Sequence, residues 1–99
     1  MLYLVEAHAS IEQGDRVDAG EGPGPMLSKM IERFHPQAIY GNPTRRQVFL
    51  IVNLDTPAAI AELMYVLTWW TKTEPSFTPI SELEVYGEAI ANAKHITSP

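Results

Sequence analysis

No cysteine occurs in the 99 residues, so disulfides, thiolate zinc sites and thiol nucleophiles are all excluded. Basic residues are scarce as well: seven Lys and Arg against twelve Asp and Glu leave a net charge of −5. Phosphate contacts need a basic face, so the chain is not expected to bind nucleic acid. No apolar run approaches the roughly 20 residues of a membrane-spanning helix. Met1 to His8 also lacks the basic flank and apolar stretch of a secretory leader, and the expectation is a soluble cytoplasmic protein. His8, His35 and His95 are not spaced as ligands of one metal ion, so no metal and no cofactor are expected. This length allows one domain with one core, and a domain so small gains from burying further apolar surface in a dimer.

The residues that are present fall into short periodic blocks. Leu2 to His8 reads as a strand with Tyr3, Val5 and Ala7 on one face and Leu2, Leu4, Glu6 and His8 on the other. Gly14, Gly20, Gly22, Pro23, Gly24 and Pro25 interrupt any period, so residues 14–25 are expected to form a flexible loop and the first helix to start late. That helix covers Met26 to Phe34, with Leu27, Met30, Ile31 and Phe34 at helical spacing and Pro36 ending it. Ala38 to Tyr40 and Gln47 to Leu54 make a hairpin across turn residues Gly41 to Thr44. Asp55, Thr56 and Pro57 open a helix to about Lys72, which buries Ile60, Leu63, Met64 and Leu67. Ser76 to Ile80 reads as an edge strand because Pro79 cannot donate to a ladder. Ser81 and Glu84 have capping-box spacing before a last helix with Leu83, Tyr86, Gly87 and Ile90 inward, expected to fray from residue 94.

The order βαββαβ plus a final helix predicts an α+β, ferredoxin-like antiparallel sheet with its helices on one face. The other face, carrying Leu4, Glu6, Phe49, Ile51 and Phe77, is too apolar to stay in water, which argues for a homodimer whose sheets enclose a barrel-like interior. On this pattern the chain, over residues 2–93, resembles the dimeric α+β barrel superfamily. That group includes muconolactone isomerases, cofactor-independent monooxygenases of antibiotic biosynthesis and haem-degrading enzymes. Phe77-Thr78-Pro79-Ile80-Ser81-Glu82-Leu83-Glu84 is similar to a segment of small uncharacterised bacterial members. Leu2-Tyr3-Leu4-Val5-Glu6 and the chain length are similar to accessory proteins of prodigiosin biosynthesis, a likeness that implies a bipyrrole or related intermediate as ligand.

Within such a cavity, Glu6 and His8 on one strand face could act as base and acid on one small molecule; the competing reading is a solvated histidine and a carboxylate paired with Arg45 or Arg46. Arg45, at the hairpin end, could grip a ligand carboxylate or carbonyl, or could simply be a solvated turn residue. Phe49, Asn53 and Trp69 complete the expected lining for an apolar aromatic ligand. Adjacent Trp69 and Trp70 point about 100° apart on a helix, so one is expected on the sheet and the other at a seam. The glycine-rich stretch lacks the lysine and hydroxyl of a phosphate loop, and its prolines remove amide donors; a lid is the functional alternative. These residues point to a small-molecule-binding accessory protein or a cofactor-free isomerase, cyclase or monooxygenase. The alternative is a non-catalytic module docking through Tyr65, Trp69 and Lys72.

Overall fold

Two strands with strict alternation set the architecture. In the computed structural model, which describes residues 1–97, β1 (Leu2–His8) and β3 (Gln47–Asn53) pair antiparallel, with Leu4 opposite Ile51 and Glu6 opposite Phe49. β2 (Ala38–Asn42) adds to the free side of β3 and β4 (Ser76–Pro79) to the free side of β1, giving the order β2-β3-β1-β4. The protein is therefore α+β with a four-stranded antiparallel sheet, compatible with a ferredoxin-like fold. The two most apolar strands lie inside, while four-residue β4, with Pro79, blunts one edge.

Because side chains alternate, Val5, Ala7, Leu50 and Val52 all project to one face, where they are buried with Met30, Leu63 and Leu67. Those three come from α2 (Gly24–Phe34) and α3 (Pro57–Thr71), so the core is a sheet face closed by two helices. Thr56 caps α3, its side-chain oxygen accepting from Ala59 N at 3.1 Å, and Pro57 fills the first helical turn as the sequence predicts. Both α2 and α3 end on left-handed residues, His35 (φ 48°) and Lys72 (φ 61°), whose amides donate to Ile31 O and Thr68 O. The buried hydroxyl of Thr71 donates to Leu67 O at 2.8 Å and accepts from Thr73 N at 3.3 Å, and Thr73 Oγ1 in turn donates to His8 O. The end of α3 is thereby stitched to the end of β1.

The structure corrects the glycine-rich stretch. Residues 14–19 are helical, within α1 (Ile11–Ala19), and only a short turn through Gly22 (φ 76°) separates this helix from α2. Ser10 is the cap: its side chain accepts from Gln13 N at 3.1 Å. Gly14 is kept small by packing, because a Cβ there would fall 2.3 Å from Cδ of Arg46, which crosses the helix. Arg46 then holds α1 in place, donating to Asp15 at 2.9 Å, Asp18 at 3.1 Å and Ile11 O at 3.3 Å.

Two further expectations change. Phe77 stands opposite Val5 and packs edge-on against Tyr3 (centroids 6.3 Å), so it belongs to the helix-covered face, not the open one. Continuing past residue 94, α4 (Glu84–Thr97) is helical to Thr97; the last two residues of the expected frayed tail lie outside the described residues. No capping box forms, for Ser81 Oγ contacts Glu82 O and the first turn closes through Val85 N to Glu82 O. No side chain of α4 is buried, and the molecule measures 62 × 25 × 20 Å because this helix leaves the body. Among the described residues no helix is long and apolar enough to cross a membrane.

Leu63 is fully buried between α3 and the sheet, so Leu63→Ala should lower unfolding free energy by about 2–5 kcal/mol, read from urea denaturation. Arg46→Ala should speed amide hydrogen exchange in residues 14–19 while leaving β1 and β3 protected, since the Arg46 side chain ties α1 to the hairpin and the backbone bond from Ala9 N to Arg46 O does not depend on it. Unchanged α1 protection would show the helix to be held by other contacts.

Candidate functional site

A cavity of about 390 Å³ opens where α1, α2 and the β2–β3 hairpin meet over the helix-covered face of the sheet. Its existence follows from the local sequence. Ala7 and Ala9 at the end of β1 and Gly14 on α1 are small, so the layer that Val5 and Leu50 fill further along is left unfilled here. Leu27 and Ile31 of α2, Ile39 of β2 and Val48 of β3 give walls that are overwhelmingly apolar. Trp70 adds an aromatic wall; it packs on the core, and its carbonyl accepts from Gln13 Nε2 at 2.7 Å.

Polar groups gather at the mouth. Arg46, Asp18 and Gln47 line it, and Asp15 stands behind Arg46. The hydrogen bond that Arg46 donates to Asp15, together with the charge of Asp18, raises the pKa of the Arg46 guanidinium above its ordinary value, although partial desolvation opposes this. With two carboxylates on one guanidinium, the rim carries a net negative charge and Arg46 has its forks occupied. Such a mouth disfavours an anionic ligand and admits a neutral or cationic one. A cavity of this size and apolarity suits a molecule of one or two rings.

The residues predicted from sequence lie elsewhere. Glu6 and Phe49 are direct cross-strand neighbours on the open face of the sheet, with His8 opposite Gln47 at one end of the same ladder. Asn53 pairs with Leu2 at the other end, four residues from Phe49, so it does not join Glu6 and His8 in one small site. Arg45 sits exposed in the hairpin turn, where Asn42 Oδ1 accepts from Thr44 N at 3.0 Å, and it contacts neither Glu6 nor His8. Among the described residues Glu6 is in no ion pair; of the two arginines expected to meet it, Arg46 is committed to α1 and Arg45 is in no ion pair with Glu6. Trp69 is two-thirds exposed on the outer side of α3, its ring 5.4 Å from that of Tyr65, beside an open groove between α2 and α3 that the Arg33–Glu62 ion pair crosses at 3.1 Å. The sheet itself therefore separates Glu6, Phe49 and Ile51 from the cavity.

Sequence reasoning missed Ala9, Gly14 and Arg46 as shapers of the cavity. The one signal that could have found them is Ser10-Ile11-Glu12-Gln13, which has the spacing of a helix start and places Gly14, Asp15 and Asp18 on a helix instead of a loop. Among the described residues no cluster of His, Asp and Glu could hold a metal ion. No protein-family model and no curated protein matches the chain.

Proposed function

We propose that the chain binds a small, neutral or cationic, largely apolar ring compound in the cavity between α1, α2 and the β2–β3 hairpin, and acts as a carrier or accessory protein for that compound. The observation that carries this reading is the cavity itself, about 390 Å³ with walls that are overwhelmingly apolar. An aromatic ligand would meet Trp70, where a π face and apolar walls favour flat molecules over aliphatic chains of equal volume. Among the described residues its only lining carboxylate is Asp18, which Arg46 engages, so the site supports retention of a ligand better than proton transfer to it. The bipyrrole-type intermediate that the sequence resemblance implies has the chemistry this site would accept, being flat, apolar and uncharged or protonated. Under the same reading the protein works as a homodimer joined through the open sheet face, where Leu4, Phe49 and Ile51 lack an intramolecular cover.

A second reading rests on Tyr65 and Trp69, a half-exposed and a two-thirds-exposed ring in contact on the outside of α3, which would suit docking on a larger partner. The two readings separate in one titration. In a Trp69→Phe background Trp70 is the sole tryptophan, and the neutral probe N-phenyl-1-naphthylamine should quench it saturably. Ala9→Leu and, independently, Ile31→Trp read by probe fluorescence should each weaken that binding at least tenfold, because both add side-chain volume to the cavity lining at positions outside the buried core. Equal affinity in both filled variants would remove the cavity from consideration. Replacing Tyr65 and Trp69 with Ser should leave probe affinity unchanged.

A further inference from the structure

Among the described residues nothing buries a side chain of the C-terminal helix α4. Its 14 residues include Val85, Tyr86, Ile90 and Ile96, each about half exposed or more, and Leu83 just before them is 79% exposed. At 100° per residue Leu83, Tyr86, Ala89, Ile90, Ala93 and Ile96 fall on one half of the helix surface, with Glu84, Glu88 and His95 on the other. An isolated helix of this length is marginal in water, and half its surface here is apolar, so α4 requires a contact that the single chain does not supply.

One other large surface is equally unpartnered, the open face of the sheet. Leu4, Ile51 and Ala38 stand in one register row and Glu6, Phe49 and Tyr40 in the next, with no helix over them. Its charge pattern matches that of α4. Glu6 is a half-buried carboxylate in the middle of this apolar face, in no ion pair among the described residues. Lys94 lies one helical turn beyond Ile90 and on the same side, at the margin of the α4 apolar surface.

We propose that α4 is an exchanged arm: in a two-fold dimer each α4 lies across the open sheet face of a second copy of this chain, seating Tyr86 and Ile90 on Phe49 and Ile51 and bringing Lys94 to Glu6. The proposal rests on the homodimer of the preceding reading, and it differs from the sheet-on-sheet barrel that the sequence resemblance implies, since a helix is the layer that covers each sheet. A 14-residue helix is about 21 Å long and 10 Å across, so two exchanged arms cover roughly 800 Å² counting both surfaces of each contact. That footprint approaches the ~1,000 Å² at which specific association begins, and the flanks of the arm add to it. The same exchange is isologous, so it closes at two copies and leaves no free end for a filament.

The absence of cysteine makes the test direct. The double variant Phe49→Cys/Ile90→Cys should form a covalent dimer on mild oxidation, while neither single variant should cross-link efficiently. Cross-linking of Phe49→Cys alone would show the two sheet faces in direct contact and overturn the arm while keeping the dimer. Cross-linking of Ile90→Cys alone would show α4 against α4, with the same consequence for the arm. An oxidised double variant that runs as a monomer would show the helix folded back on its own sheet and overturn the proposal. Without any disulfide, Glu6→Lys should weaken dimerisation at least tenfold in sedimentation velocity, and adding Lys94→Glu should restore it. A wild-type chain that sediments as a monomer at micromolar concentration overturns both arm and dimer, and probe binding to the cavity, measured on the same samples, reports separately on the ligand reading.

Discussion

The contact between one face of β1 and β3 and the inner sides of α2 and α3 supports everything else in the molecule. Val5, Leu50 and Val52 from the sheet meet Met30, Leu63 and Leu67 from the helices, and none is more than marginally exposed. This single layer of large apolar side chains fixes which face of the sheet is covered, and by the period of two it also fixes which face is left open. A one-residue slip of β1 against β3 would exchange Val5 for Glu6 in the core, so the register is strongly specified. The small residues Ala7, Ala9 and Gly14 continue the same layer towards one end, and the cavity is the space they do not fill.

Much of this was legible in the sequence. The β-compatible runs Leu2–His8 and Gln47–Leu54 assigned both central strands and their core faces, with β3 ending one residue earlier at Asn53, and Asp55-Thr56-Pro57 marked the start of α3 without choosing between Asp55 and Thr56 as its cap. Each signal is local, written in residues that interact within a few positions of one another. Of the adjacent tryptophans, Trp70 packs on the core and Trp69 stays outside, the split that a 100° rotation requires.

What the sequence concealed depends on distant partners. Gly14 reads as a helix breaker until Arg46, 32 positions further on, is seen lying across it and tying Asp15 and Asp18 to the hairpin. Phe77 sits on a strand too short to show alternation, and its face is set by the pairing with Val5. The expected site was spread by the same cause. Glu6, Phe49 and Asn53 share a face by parity, yet the register separates Asn53 from the others, and the apolar cavity lies behind the sheet where parity alone does not look.

The strand order β2-β3-β1-β4 has a consequence for how the chain reaches this state. Of the four strands the earliest in the sequence is a central one, and its partners are residues 47–53 and 76–79, so β1 must wait for chain that is far away in sequence. The β2–β3 hairpin closes across a four-residue turn and can form early, whereas pairing β1 with β3 closes a loop of 38 residues, between His8 and Gln47, and pairing β1 with β4 spans the 69 residues between Glu6 and Ser76. Folding should therefore be nucleated around the hairpin and α3, with Leu2 to His8 held extended and unpaired until the middle of the chain has emerged. During that interval an apolar strand is exposed on both its edges, and Glu6 and His8 supply the only interruptions to its capacity to pair with the wrong partner.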